Sequence, residues 1–176
     1  ANTTAAAAWY KKAAEAQPGH PLAQYRLATL LHTGEGVPMD HRAAAAWYGK
    51  AASKNSTLAI LLLAELYTTG DASSGMLVNR SAAADLLLRA EELGTQRLPQ
   101  MAEVAFNLAR AYEDGVGGPA NRSTAFLWRR IAASAGHVDA QHHLAVELLG
   151  KEESSIEDAR EGADWCARAA DAGHAE

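Results

Sequence analysis

The chain has 176 residues, with 16 Lys and Arg against 21 Asp and Glu, which gives a net charge of −5. Nucleic acid as the main partner requires a basic stripe, so this balance argues against it. Hydrophobic residues make up 48% of the chain but aromatic residues only 6%, and much of the rest is alanine. This composition predicts helices that approach closely through small side chains.

The only cysteine, Cys166, cannot form an internal disulfide. It stands beside Trp165 in an apolar helical pattern, which favours a packing role over catalysis. The longest apolar run, Leu58 to Ala64, is far shorter than the roughly 20 residues of a membrane-spanning helix, so no membrane insertion is expected.

An anchor position recurs along the chain at spacings of 38, 39, 42 and 37 residues. Its occupants are Trp9, Trp47, Leu86, Trp128 and Trp165. Seven positions before each anchor stands a short polar residue suited to cap a helix: Asn2, Asp40, Asn79, Asn121 and Asp158. A period of roughly 20 to 50 residues predicts a solenoid, in which each repeat buries its apolar face against its neighbours.

The predicted elements follow in chain order as pairs of helices within one domain. The clearest pair lies in 21–57, where apolar residues from Ala23 to Leu31 have helical spacing and a Gly-Glu-Gly turn follows. Asp40 then begins a second helix, and Asn55 ends it in the left-handed conformation. The predicted organisation of the domain 1–176 is a half repeat 1–20 and repeats of about 21–57, 58–98, 99–138 and 139–174.

The repeats differ mainly in their loops, as a stacked array tolerates. A longer loop covers 70–75, an insertion covers 95–100, and an acidic stretch covers 151–158. The sequence at 173–176 copies the start of earlier repeats, so further repeats or domains are expected at both ends.

One motif set is specific. It comprises Ala23-Gln24-Tyr25-Arg26-Leu27-Ala28, Leu31, Gly34-Glu35-Gly36-Val37, Asp40, Ala44, Trp47-Tyr48 and Ala51-Ala52. It resembles the Sel1-like repeat, a branch of the tetratricopeptide class, almost position for position, and the resemblance covers nearly the whole chain. It implies an all-α fold, a right-handed superhelix of αα-hairpins (an α-solenoid), and a non-catalytic scaffold or adaptor that binds another protein.

The resemblance leaves several roles open. The alternatives are a periplasmic immunity protein that neutralises a toxic effector, an endoplasmic-reticulum quality-control adaptor, and an architectural spacer within a longer repeat protein. A bacterial envelope or a secretory lumen is favoured over the cytoplasm as the location.

First helices of stacked pairs line the concave surface, where positions not needed for stacking can contact a partner. Aligning the repeats places apolar residues of the second full repeat where the other repeats are polar, which is typical of a contact patch with a polar rim. The predicted protein-binding residues are Gln24, Arg26, Thr29, Ile60, Leu62, Glu65, Asn107, Arg110, Gln141 and His143.

Chemistry-bearing motifs point to no catalytic, cofactor or metal site. His20, His137 and His174 share one repeat phase and are expected about 10 Å or more apart, too far to share a metal ion. The glycine turns follow no strand, which argues against a nucleotide loop. Asn-x-Ser/Thr sequences at Asn2, Asn55, Asn79 and Asn121 leave glycosylation open, although capping side chains fit it poorly.

Overall fold

A computed structural model describes residues 3–16, 18–72, 74–94, 99–150 and 155–173. Over these ranges the regular elements are nine α-helices, and one isolated bridge joins Asp71 to Met76. The helices are α1 (Thr3–Glu15), α2 (Pro21–Thr33), α3 (His41–Ala52), α4 (Thr57–Thr69), α5 (Arg80–Glu92), α6 (Pro99–Asp114), α7 (Arg122–Ser134), α8 (Val138–Leu149) and α9 (Ile156–Asp171).

The chain divides into two compact units, Ala1–Leu93 and Gly94–Glu176, so the single domain predicted over 1–176 stays a prediction. In the parts that the structure describes, no helix is both long enough and apolar enough to cross a bilayer. The predicted cap Asn2 and parts of the insertion and of the acidic stretch, 95–98 and 151–154, lie outside the described residues.

The first unit contains the hairpins α2–α3 and α4–α5; α1 packs on α2, and α3 packs on α4. Small side chains fill the contacts between helices, and Tyr48, Leu63 and Leu66 supply the bulk. The central cluster comprises Ala28, Ala44, Tyr48, Ala51, Ala59, Leu63 and Leu66. The helical hairpins predicted from the alanine-rich pattern are therefore present in this unit.

The second unit contains the hairpins α6–α7 and α8–α9, and α7 packs on α8. Its first helices contribute long apolar side chains, and its second helices contribute the two anchor tryptophans. The buried residues include Met101, Val104, Leu108, Trp128, Leu144, Leu148 and Trp165.

Three of the predicted N-caps are confirmed. The side chains of Asp40, Asn79 and Asn121 each accept a hydrogen bond from the backbone amide three residues later, at 2.9, 3.1 and 3.0 Å. These bonds satisfy amides that the first helical turn leaves without a partner. The predicted left-handed residue Asn55 is also confirmed, with φ of 59°.

The prediction of Asp158 as a cap is wrong. Ser155 caps α9, and Asp158 stands at the third helical position, where its carboxylate accepts a hydrogen bond from the Ser155 backbone amide. This reciprocal capping box satisfies two amides at once, which a cap at Asp158 alone would not do.

The prediction that Cys166 packs in the core is also wrong, since its side chain is exposed. Its neighbour Trp165 is buried. Adjacent residues on a helix point about 100° apart, so a residue next to a core anchor need not share its surroundings.

Burial of the anchors depends on the hairpin to which each belongs. Trp128 is only 7% exposed and Trp47 is half-buried, whereas Trp9 is 70% exposed. Trp47 packs against Ala23 and Leu27 of α2, the first helix of its own hairpin. Trp9 lies on α1, which follows no other helix within the described residues. The Trp47 ring is therefore covered by the first helix of its own hairpin.

Substitution of Trp128 by Ala should lower the free energy of unfolding by roughly 3 to 5 kcal/mol, because it removes a buried aromatic side chain and leaves a cavity. Urea denaturation measures the change. The control is Trp9→Ala, which alters the same repeat position where the ring is exposed and should change stability by no more than about 0.5 kcal/mol. Equal losses in the two variants would contradict the assignment.

Candidate protein-binding site

The predicted contact residues occupy matching positions on the first helices α2, α4, α6 and α8. The first of these positions is held by Gln24, Ile60, Ala105 and Gln141, and all four side chains are buried. The prediction that Gln24, Ile60 and Gln141 contact a partner is therefore wrong, because a partner cannot reach them without unpacking the helices.

Hydrogen bonding explains why glutamine is buried there. Gln24 Nε2 donates to the Ala14 carbonyl at 3.4 Å, and Gln141 Nε2 donates to the Ala133 carbonyl at 3.1 Å. Both carbonyls lie in the last turn of the preceding helix, where intrahelical donors run out. The Ala133 carbonyl also accepts from the Gly136 backbone amide at 3.1 Å. The glutamines therefore join each first helix to the end of the helix before it.

Replacing Gln141 by Ala should lower the free energy of unfolding by about 1 kcal/mol, because one hydrogen bond between α8 and the end of α7 is lost while the Ala133 carbonyl keeps the Gly136 amide. Chemical denaturation tests this. Asn107→Ala, which removes a half-buried amide on α6, is the control and should cost no more than about 0.5 kcal/mol. If Gln141→Ala unfolds at the wild-type denaturant concentration, the structural role assigned to Gln141 is incorrect.

The next position along the helices reaches the surface. It is held by Arg26, Leu62, Asn107 and His143, of which Arg26 and His143 are exposed and the other two are half-buried. Leu62 also packs against the central cluster of the first unit. This position combines packing in one repeat with exposure in others.

In the first unit, Thr29 and Glu65 occupy a third position and are both half-buried. Thr29 Oγ1 donates to the Tyr25 carbonyl at 3.0 Å and accepts from the Tyr48 hydroxyl at 3.3 Å. Burial raises the pKa of Tyr48 to about 12, so its hydroxyl stays protonated and acts as a donor. Thr29 is thus held by hydrogen bonds to its neighbours.

Beside this position lies a pair of histidines. The rings of His32 and His41 meet edge to face with centroids 5.1 Å apart, and His41 Nδ1 lies 3.0 Å from Asp71 Oδ2. Partial burial lowers the pKa of His32 below its ordinary 6.5, and the charge of His41 lowers it further. Across the described residues, no group of three or more His, Cys, Asp or Glu side chains is placed to hold a metal ion.

The lowered pKa of His32 predicts a loss of stability in acid. Well above pH 6.5 the imidazole is neutral in both the folded and the unfolded chain. As the pH falls below that value, the unfolded chain binds the proton more readily, so the free energy of unfolding decreases. In urea denaturation across this range, His32→Gln should show a weaker pH dependence than wild type. His20→Gln, at an exposed histidine, should keep the wild-type slope; a wild-type slope for His32→Gln would contradict the prediction.

The second unit contains a cleft of about 360 Å³, here called the α6–α8 cleft. It brings together two predicted residues, Arg110 and His143. The lining residues are Phe106, Arg110, Glu113, Asp114, Arg129, Asp139 and His143. Partial burial lowers the pKa of His143, and the nearby charge of Arg129 lowers it further. Asn107 does not line the cleft; its Nδ2 donates to Glu103 Oε1 at 3.3 Å.

Arg129 is the residue of this cleft that the sequence reasoning missed. It lies on the second helix α7 and is buried, yet its guanidinium donates hydrogen bonds to Glu113 of α6 and Glu147 of α8. A buried guanidinium is stable only when it is paired, and these two carboxylates provide the pairing. The signal in the sequence is an arginine at the repeat position that holds the apolar residues Tyr48 and Leu87 in the first unit, both of which are buried.

The repeats match the model of a known protein family. Residues 1–18, 21–56, 57–95, 102–137 and 138–174 match the family model described as Sel1 repeat.

Two solved structures are similar over nearly the whole chain. One is c5321, a protective antigen of uropathogenic Escherichia coli strains with an SLR fold, at 26% identity and a TM-score of 0.69, covering 97% of this chain and 34% of that one. The other is a Sel1 repeat protein from Oxalobacter formigenes, at 26% identity and a TM-score of 0.67, covering 98% and 64%. These similarities confirm the predicted all-α solenoid class.

Among curated proteins, chitin synthase regulatory factor 3 of Schizosaccharomyces pombe is 31% identical over 167 residues. The match covers 92% of this chain but only 17% of that protein. The chain thus corresponds to a part of this relative and to less than two thirds of each of the two solved chains.

Proposed function

Since the chain belongs to the Sel1 repeat family, we propose that it is a non-catalytic scaffold or adaptor that binds another protein through the surface of its first helices. Proteins of this family are generally protein-interaction scaffolds without catalysis of their own. In the first unit the proposed contact residues are Arg26, Thr29, Leu62 and Glu65. In the second unit they are Asn107, Arg110 and His143.

One observation carries this proposal. The core is built from a different set of positions, so the side chains at the register of Arg26, Asn107 and His143 are not fixed by packing alone. Those side chains differ in chemistry from repeat to repeat while the alanines beneath them recur. A surface that varies over a constant core is what a repeat scaffold uses to recognise a partner.

The finer roles considered from the sequence are proposals of the same kind. A periplasmic immunity protein and an endoplasmic-reticulum adaptor both require a partner-binding surface. The relative from Schizosaccharomyces pombe carries the name of a regulatory factor, which supports an adaptor that acts on a bound enzyme. A spacer is the exception, because it needs no contact through the first helices.

The experiment is an affinity capture with the wild-type chain, followed by calorimetry with the captured protein. The triple variant Arg26→Ala, Asn107→Ala and His143→Ala should bind roughly tenfold or more weakly, because central interface side chains each contribute on the order of 1 kcal/mol or more. The substitutions remove surface side chains, so thermal unfolding should stay close to wild type.

The matched control is Arg160→Ala, which removes an exposed cation from the second helix α9. It should leave the affinity unchanged. Wild-type affinity in the triple variant places the partner elsewhere on the chain, and a chain that captures no protein at all is better described as a spacer.

A further inference from the structure

We propose that the α6–α8 cleft receives one basic side chain, lysine or arginine, of the partner protein. This inference rests on the proposed function and specifies the chemistry of one contact.

The charges in and around the cleft leave an excess of negative charge. Glu113, Asp114 and Asp139 line it together with the cations Arg110 and Arg129. Glu147 does not line the cleft, but it also pairs with the guanidinium of Arg129. In and around the cleft, four carboxylates therefore face two cations. The whole chain is also acidic, with a net charge of −5. Opposite potentials favour association, so a cationic group suits this cleft better than an anionic one.

Arg129 fixes part of this charge in place. Its guanidinium is buried between Glu113 and Glu147, whose side chains remain 46% and 38% exposed. Both carboxylates are therefore oriented by the folded core while still facing solvent. A carboxylate held in position loses less conformational freedom on binding than a mobile one, which favours recognition.

Phe106 forms the apolar wall of the cleft. Its ring stacks on His137 with centroids 4.2 Å apart and planes 26° apart, and His143 lies 6.0 Å from it. This stacking holds the ring in one orientation. Lysine and arginine carry an apolar stem that can lie on such a ring while the charged head reaches the carboxylates.

Arg110 is the feature that opposes this assignment. It is exposed and lines the same cleft. An acidic side chain of the partner could pair with it, and the two occupants predict opposite responses to substitution. A basic occupant binds more tightly when Arg110 is neutralised, and less tightly when Asp114 and Asp139 are neutralised.

The test uses the full chain labelled with ¹⁵N and two capped tripeptides, acetyl-Gly-Arg-Gly-amide and acetyl-Gly-Glu-Gly-amide. Each is titrated to millimolar concentrations at low ionic strength. The arginine peptide should cause saturable shifts in the amides of Phe106, Arg110 and His143. Affinity should weaken about threefold to tenfold in Asp114→Asn/Asp139→Asn and strengthen by a similar factor in Arg110→Gln.

The matched control is Asp164→Asn/Asp171→Asn, which removes the same charge from exposed positions of α9 that do not line the cleft. It should lose less affinity than the cleft double variant. Equal losses would mean that only the overall charge matters and would overturn the proposal. So would tighter binding of the glutamate peptide, or the absence of saturable shifts with the arginine peptide.

The variant Arg110→Gln keeps the test decisive if the double aspartate variant unfolds, because Arg110 is an exposed side chain whose replacement leaves the core unchanged. Failure of the cleft assignment leaves the scaffold function intact, since a captured partner can bind through other first-helix residues. Failure of the scaffold function shows instead as the absence of any captured partner.

Discussion

The close packing of alanine between helices is the constraint on which the rest of the structure depends. In the first unit, Ala28, Ala44, Ala51 and Ala59 are fully buried in one cluster. An alanine at such a contact lets helices approach closely, and any larger side chain would force them apart at a cost of about 1 to 3 kcal/mol. Because these contact positions are small, the bulk of the cluster comes from Tyr48, Leu63 and Leu66 at other positions.

Polar groups between the helices are satisfied to different degrees, since the amide nitrogens of Gln24 and Gln141 are bonded while their buried Oε1 atoms have no partner among the described residues. Gln24 and Gln141 bond carbonyls at helix ends, whereas Ile60 and Ala105 occupy the same position without such a bond. Arg129 bonds carboxylates of the helices on either side. A solenoid can accept such differences because each repeat needs to fit only its neighbours. The same freedom that changes these internal contacts also lets the surface differ from repeat to repeat.

The sequence predicted what depends on local pattern. The hairpins, the caps Asp40, Asn79 and Asn121, and the left-handed Asn55 follow from residues within a few positions of each other. The prediction that Asp158 caps α9 was wrong because it used only the spacing from the anchor Trp165. It did not consider Ser155, which stands three residues earlier and is the cap. Only some residues of the candidate protein-binding site could be predicted from the sequence.

Helical spacing shows which residues share a face of a first helix, but not where the preceding helix ends against it. Spacing alone therefore predicts Gln24, Ile60 and Gln141 at the surface, although the structure buries all three. The end of the preceding helix covers Gln24 and Gln141. Arg129 was missed for the related reason that its partners come from helices separated along the chain. Positions whose role depends on a neighbouring repeat require the packed structure.

The predicted contact positions that the structure leaves at the surface indicate what kind of partner the proposed scaffold would bind. At one register the repeats present arginine, leucine, asparagine and histidine: Arg26, Leu62, Asn107 and His143. A ligand with a repeating chemical unit would select the same side chain in each repeat, because each repeat would meet the same group. Four different side chains over a constant alanine core instead favour a partner whose own surface changes from one repeat to the next. A folded protein or a peptide of definite sequence has that property, and it would contact each repeat through a different chemical group.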